Sequence, residues 1–244
     1  MPSVPMLSVV VPVKNEQENI FPLLEEIHAA LDGKADFEVI YVDDGSTDAT
    51  GQRLMEAKQR FTRLRIVRHK LSCGQSRAVA SGVHAARGDW IVTLDGDGQN
   101  DPADIPKLLA HVETADKVVP VNLVAGIRRK REDSAVKRIS SKLANAIRQR
   151  LLHDGVSDTG CGLKAIRREA FLRLPYFDHM HRYLPALIRR DGGAVETVQV
   201  NHRPRLRGAS NYGFFDRLWV GISDLVGVMW LMRRCKKPIY DAES

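Results

Sequence analysis

The sequence predicts an α/β domain built on a mostly parallel sheet flanked by helices. Short β-branched runs alternate with stretches of helical apolar spacing through the first hundred residues, the pattern of βαβ units. The chain has 244 residues, 43% of them hydrophobic and 27% charged, which is an ordinary globular composition able to fill one large core. Acidic residues recur at the ends of the predicted strands, and in an open parallel sheet those ends form one edge where ligands gather.

The elements follow in order. Leu7 to Val13 (LSVVVPV), Phe37 to Asp43, Leu64 to His69 and Trp90 to Asp95 read as buried strands. Gln17 to Leu31, Asp48 to Phe61 and Gly74 to Arg87 have helical spacing, with Ser46 to Asp48 offering an N-cap for the second. Beyond Asp101-Pro102 the pattern loosens. It predicts a helix near Ala103 to Val112, a strand near Val118 to Ala125, a basic helix from Ser134 to about Leu152, helices near Arg167 to Leu174 and Tyr183 to Arg190, and a strand from Ala194 to His202. No internal repeat or low-complexity tract interrupts the chain.

Cys73, Cys161 and Cys235 are far apart and form no C-x-x-C pair, which argues against a disulfide framework or a cysteine-zinc site and favours a reducing compartment. Met1 to Pro12 has no basic leader and carries proline within its apolar run, so no signal peptide is expected. The net charge of +7 is concentrated: from Arg128 to Arg150 nine basic residues face only Glu132 and Asp133. Such a window is either a solvated helix face or the mark of a polyanionic partner, whether nucleic acid, anionic membrane or phosphorylated substrate. Leu218 to Met232 is apolar apart from Ser223 and Asp224, bears Trp219 and Trp230 near its ends and is followed by Arg233, Arg234, Lys236 and Lys237. Fifteen residues fall short of the roughly 20 needed to span a bilayer. The run fits a helix at a lipid interface or a buried core helix equally well. The expected organisation is a catalytic domain over residues 1–215 followed by an interfacial helix and basic tail over 216–244.

The turn after the first strand, Pro12 to Glu16, lacks the glycines of a dinucleotide fingerprint, and no Walker A loop is present, so phosphates must be held otherwise. Asp95-Gly96-Asp97-Gly98-Gln99 supplies two carboxylates and an amide oxygen on alternate residues leaving a strand. Hard oxygen donors of this kind suit Mg²⁺ or Mn²⁺ shared with substrate phosphates. Asp43 and Asp44, consecutive acids at a strand end, exceed what capping the next helix requires and point to nucleotide binding. Asp158 reads equally as an acceptor-side ligand or as a turn residue before Gly160, while His181-Arg182 and His202-Arg203 read as structural or rim groups and Trp90 as core.

Together, Val9 to Glu16, Val42-Asp43-Asp44-Gly45-Ser46-Thr47-Asp48, Gly74 to Gly82 and Thr93 to Pro102 resemble the ordered motifs of glycosyltransferase family 2, over about Leu7 to Phe215. The resemblance implies the GT-A fold and leans to the dolichyl- or polyprenyl-phosphate sugar synthases, the dolichol-phosphate mannosyltransferase branch. Gly126-Ile127-Arg128, Arg138 with Ser140-Ser141, Asp158 to Gly162 and Arg205 to Asn211 match its later motifs, with Ala209 and Asn211 in place of the family's acid and lysine. By that resemblance Pro12, Glu16, Asp43, Asp44 and Asp95 serve the nucleotide, Asp95, Asp97 and Gln99 hold the metal, and Arg128, Arg138, Arg205 and Arg207 receive a lipid phosphate, with Asp158, Ser141 and Ser210 on the acceptor side. The implied reaction is inverting transfer of a hexose from a GDP- or UDP-sugar to a polyprenyl phosphate at the cytoplasmic face of a membrane. Its partners would be the nucleotide-sugar, the lipid, the membrane surface and a separate membrane protein, with no nucleic acid. Two other readings stand beside it: the same fold with a saccharide or lipid hydroxyl acceptor, and a non-catalytic module that binds anionic surfaces.

Overall fold

The computed structural model describes residues 6–113, 120–129, 145–205 and 214–236. Seven strands form one sheet in the order β3-β2-β1-β4-β6-β5-β7. β1 (Leu7–Val13) and β2 (Phe37–Asp44) pair in parallel from Leu7↔Phe37 to Val13↔Asp43, and β3 (Leu64–His69) and β4 (Trp90–Thr93) flank them in parallel. Neighbouring residues of β1 and β2 face opposite sides, as the two-residue period of a strand dictates. Val9, Val11, Val39 and Tyr41 enter one core with α1 (Ile20–Leu31), α2 (Thr50–Arg60) and α4 (Ile105–Glu113). Val10, Ile40 and Val42 enter a second with α3 (Gln75–Ala85), α6 (Arg168–Leu172) and α7 (Leu184–Arg190). The result is a helix–sheet–helix sandwich, and Trp90 lies in its core, 5% exposed.

β6 (Lys164–Arg167) is the strand the sequence pattern does not reveal. It inserts antiparallel between β4 and β5 (Val121–Arg128), and β7 (Ala194–Val200) pairs in parallel with β5. Because β6 runs opposite to its neighbours, its first residue lies at the edge where β1, β2, β4, β5 and β7 finish. That single edge therefore carries residues 14–16, 43–46, 95–99, Arg128, 158–164 and 201–205.

Other boundaries differ for local reasons. Sheet pairing of β4 stops at Thr93↔Val10, which frees Asp95 from the strand into the following turn. α1 begins at Ile20 because residues 16–19 form a turn closed by Asn19 N–H donating to the Glu16 carbonyl at 2.9 Å. The fifth predicted strand extends past Ala125 to Arg128, pairing as far as Arg128↔Val200. The N-cap of α2 is Ala49, one residue beyond the expected Ser46 to Asp48, and Asp48 lies just before it, accepting from Thr50 N at 2.9 Å. Of the basic helix, residues 145–152 (α5) are described. α8 (Phe214–Arg233) starts before the expected boundary at residue 216, and its inner face, Leu225, Val228, Met229, Leu231 and Met232, packs into the second core.

Candidate active site

Pro12, the penultimate residue of β1, leads into a sharp turn in which Asn15 adopts φ 57°. Asn15 Oδ1 accepts from Thr47 N at 2.8 Å, and Asn15 N donates to Ser46 Oγ at 3.0 Å, so the turns after β1 and β2 are locked together. Glu16 donates its amide to Thr50 Oγ1, accepts from Asn19 Nδ2 at 2.6 Å and pairs with Arg205. Burial and the nearby Asp97 charge raise the Glu16 carboxyl above its ordinary value against the pull of Asn19 and Arg205.

The two acids after β2 diverge. Asp43 is fully buried; its Oδ1 accepts from Ser46 N at 2.9 Å, while its Oδ2 lies 3.2 Å from Arg68 Nε without an aligned hydrogen bond. Asp44 instead receives His69 Nδ1 (2.7 Å), Ser72 Oγ (2.8 Å), Cys73 N (2.8 Å) and Gly74 N (2.9 Å). Burial acts to raise its pKa, but these donors prevail and hold the carboxyl below its usual range. The loop it organises also passes Gly45 (φ 67°), where a Cβ would strike the backbone of Leu71 and Ser72. The structure thus gives Asp44 an internal role, anchoring residues 72–74 at the start of α3, and leaves Asp43 with the less satisfied oxygen.

Asp95 and Asp97 leave the end of β4. Asp95 N donates to Asn100 Oδ1 at 3.0 Å, and Asp95 Oδ1 accepts from Gln75 Nε2 at 2.7 Å. Burial first, and the neighbouring Asp97 charge second, push the Asp95 carboxyl up to about 6 against the attraction of Lys164, Gln75 and Arg128. Asp97 Oδ1 accepts from Gln99 N at 3.1 Å, and Gln99 Nε2 donates to the Arg203 carbonyl at 3.3 Å. Arg203 also binds Glu26 and Asp101, so it fastens this turn to the chain beyond β7, the structural role expected of it. Glycine is required at 162, where a Cβ would overlap the Asp95 carboxylate.

Opposite Asp95, Arg128 at the end of β5 grips Asp158 through Nε–H···Oδ2 at 2.6 Å and Nη2–H···Oδ1 at 2.7 Å. Both side chains are about nine-tenths buried. Arg205 is brought to Glu16. Arg138, Ser141, Arg207 and Ser210 lie outside the described residues. Sequence reasoning missed two residues here. Gln75 orients Asp95, and Lys164, 3% exposed, donates to the carbonyls of Thr159 and Cys161. Gln75 lay within the Gly74 to Gly82 motif, but polarity at a helix start reads first as solvation. His181 bonds Ser76 at 2.7 Å and so links the turn before α7 to the first turn of α3, matching its structural reading.

The donor set fits a hard divalent cation: two carboxylates close enough that the charge of Asp97 disfavours ionisation of Asp95, and an amide whose nitrogen is already engaged, leaving its oxygen. Among the described residues the three-membered group of candidate ligands lies elsewhere, at Asp44, His69 and Cys73. There both His69 ring nitrogens are already hydrogen-bonded, to Asp44 and Ser81, so hydrogen bonding accounts for the cluster.

Residues 8–174 match the family described as Glycosyl transferase family 2. The chain is 36% identical over 240 residues to dodecaprenyl-phosphate galacturonate synthase of Rhizobium johnstonii, covering 95% of this chain and 69% of that protein. It is 36% identical over 213 residues to undecaprenyl-phosphate 4-deoxy-4-formamido-L-arabinose transferase of Edwardsiella ictaluri, covering 86% of this chain but only 64% of that relative's length. Among solved structures it resembles glucosyl-3-phosphoglycerate synthase from Mycobacterium tuberculosis, in complex with Mn²⁺, UDP and glucosyl-3-phosphoglycerate, at a TM-score of 0.69 and 23% identity, over 96% of this chain and 81% of that one. The helix–sheet–helix scaffold, the acidic turn after β4 and these matches agree, and the chain belongs to glycosyltransferase family 2.

Proposed function

We propose that this glycosyltransferase moves a sugar from a nucleoside diphosphate donor onto the phosphate of a polyprenyl phosphate, with inversion at the anomeric carbon. The observation that supports the reading is the placement of Arg128, held by Asp158 through Nε and Nη2, on the same sheet edge as Asp95 and Asp97, with the guanidinium's remaining N–H groups as donors for an anion. The names of the relatives above support a polyprenyl-phosphate acceptor. They also favour a uronate or a modified amino pentose over the mannose of the dolichol-phosphate branch.

Asp95, Asp97 and Gln99 would hold Mg²⁺ or Mn²⁺, which when bound supplies Lewis-acid stabilisation of the departing diphosphate. Pro12, Glu16 and Asp43 would line the nucleoside, with Asp44 shaping the adjoining loop. An acceptor phosphate oxygen attacks the anomeric carbon as the bond from that carbon to the diphosphate oxygen breaks. A phosphate monoester is largely ionised near neutral pH, its second pKa being about 6, so no protein base is needed. The task left to the chain is neutralising that anion, which Arg128 serves with Arg138, Arg205 and Arg207, assisted by Ser141 and Ser210. The hydroxyl-acceptor alternative is disfavoured because it would need a base, and Asp158, the candidate, is bound at both oxygens by Arg128.

Attachment is proposed to be peripheral, at the cytoplasmic face, through α8. No described helix is long and apolar enough to cross a membrane. While the inner face of α8 packs on the core, Ile222, Val226 and Trp230, four residues apart, are 46%, 61% and 58% exposed, and exposed Arg233, Arg234 and Lys236 follow. That face suits a bilayer surface or a membrane protein resting there. The enzymatic reading is tested by assaying sugar transfer to undecaprenyl phosphate with Asp97→Ala: transfer must be metal-dependent in the wild type and abolished in the variant, and undiminished transfer would contradict it.

A further inference from the structure

Lys164 is a buried cation for which the proposed chemistry has no task. It opens β6 between Thr93 of β4 and Ala125 of β5 and is 3% exposed. Its ammonium donates to the carbonyls of Thr159, at 3.3 Å, and Cys161. Those residues lie in the loop that carries Asp158 at one end and Gly162 at the other. Thr93 Oγ1 holds the far end of the loop, donating to the Gly162 carbonyl at 2.7 Å. At that point the loop backbone passes so close to Asp95 that a Cβ would displace its carboxylate. Burial pushes the Lys164 pKa down against the attraction of Cys161, of Asp95 on the proposed metal-binding turn and of Asp158 on the arginine clamp.

Burying an ammonium is costly, and main-chain carbonyls recover only part of the lost hydration. Methionine would fill a similar volume without that penalty. A lysine kept in so buried a place, with its amine spent on two carbonyls of the loop that leads from Asp158 to Gly162, points to a task in holding that loop rather than to packing alone.

We propose that Lys164 is a positioning residue that fixes the acceptor-phosphate clamp relative to the metal-binding turn. By drawing the Thr159 and Cys161 carbonyls inward it sets the loop that bears Asp158, and Asp158 in turn sets the Arg128 guanidinium. Arg128 itself touches the acceptor; Lys164 acts through it. This role rests on the reading of Arg128 as a ligand of the acceptor phosphate.

The experiment compares wild type, Lys164→Met, Lys164→Gln and Lys164→Arg by calorimetric titration with two probes: Mn²⁺ with UDP or GDP for the donor side, and farnesyl phosphate for the acceptor side. Thermal melting is followed in parallel. Lys164→Met is expected to keep nucleotide affinity within about 3-fold while farnesyl phosphate affinity falls about 30-fold, and Lys164→Arg to recover most of that loss. Should Lys164→Met fail to fold, Lys164→Gln, which keeps a donor without the charge, is set against Lys164→Arg in the same titrations, and the same selective loss is expected. Equal farnesyl phosphate binding by wild type and uncharged variants overturns the role of Lys164 alone. Parallel loss of both ligands in step with a fall in melting temperature, unrelieved by arginine, reduces it to a packing residue. A wild type that binds Mn²⁺-nucleotide but no farnesyl phosphate overturns the acceptor reading, and the role of Lys164 with it.

Discussion

Arg128 meets Asp158 edge to edge, with Nε and Nη2 donating in parallel to the two carboxylate oxygens at 2.6 and 2.7 Å. The pair joins the end of β5 to the loop before β6, so it is a structural brace as well as a candidate phosphate site. Removing one partner leaves the other charged and buried, which costs about 3–5 kcal/mol. Asp158→Ala should then lower the melting temperature by roughly 6–20 °C in a chain of this size. Replacing both, as Arg128→Met with Asp158→Leu, should be less damaging than the sum of the single changes, because no stranded charge remains. Calorimetric melting of all three variants measures the coupling. A double variant that folds yet transfers no sugar would separate the brace from the phosphate site.

Asp95 gives a pH dependence to cation binding. Its carboxyl is pushed up to about 6 by burial and by Asp97. A raised acid pKa means that the ionised form is penalised in the folded chain: cation-free stability is undiminished by this group below its ordinary value of 3.8 and declines as pH rises toward 6. A bound divalent ion needs the ionised form, so protons compete with it below about pH 6. Mn²⁺ affinity, followed by titration calorimetry, should weaken about tenfold between pH 7 and pH 5. In Asp97→Asn the competition should move to lower pH, because the neighbouring negative charge is gone. Affinity that is flat from pH 5 to 7 would contradict the assignment of Asp95 as ligand.

Asp44 provides the opposite sign. Despite its burial, donors from Cys73, His69, Ser72 and Gly74 hold its carboxyl below the ordinary 3.8. Such a group contributes stability that is complete above that value and disappears as pH falls through the depressed folded pKa. Asp44→Asn should therefore be less stable at neutral pH, with a shallower loss of stability on acidification below about pH 4, as read by urea unfolding at a series of pH values. The same variant should impair nucleotide binding indirectly, by releasing the loop over residues 72–74.

What the sequence disclosed and what it concealed have distinct physical causes. β1 and β2 are buried on both faces and read as continuous β-branched runs, and the acids that end them are local in sequence, so strands and ligand edge were both legible. β6 is four residues, Lys-Ala-Ile-Arg, two of them charged; nothing in that composition signals a central strand. It is held by neighbours 39–43 and 71–77 positions away in the chain, and pairing of that kind is set by tertiary structure. Lys164 was concealed for the same reason, since a lysine is read as solvated until its surroundings are known. Asp44 shows the converse: the motif made both acids of the Asp43-Asp44 pair look like ligands, and only the backbone of residues 72–74 assigns the second to loop construction.

Gly162 offers a sharp test of the acidic turn. A Cβ there would overlap the Asp95 carboxylate, which would have to leave its place and its hydrogen bond from Gln75. Gly162→Ala should leave the sheet intact, because the residue precedes β6, while displacing Asp95 and weakening Mn²⁺-nucleotide binding by about tenfold or more. Gly33→Ala is a control of another kind: no atom lies within reach of its Cβ, but its φ of 73° strains any side chain, so it should lower stability modestly and leave Mn²⁺ binding unchanged.

The outer face of α8 is where the proposed membrane attachment can be tested. Ile222, Val226 and Trp230 form one exposed apolar line, and Arg234 lies over the Trp230 ring at 5.8 Å, placing a cation at the line's end. His179 pairs with Asp224 at 3.1 Å and Tyr183 OH donates to the Gly221 carbonyl at 3.3 Å, so the helix is pinned to the body and presents that line in a fixed direction. Transferring three such side chains into a lipid interface is favourable by about 1 kcal/mol or more each, and each cation near an anionic surface adds about 1 kcal/mol. The double change Val226→Glu with Trp230→Glu leaves the inner face untouched. It should therefore preserve the melting temperature and abolish flotation with vesicles rich in anionic phospholipid, whereas Arg233→Gln with Arg234→Gln should weaken flotation chiefly at low salt. Flotation unchanged in the glutamate variant would remove α8 from the membrane and leave its exposed line to a protein partner.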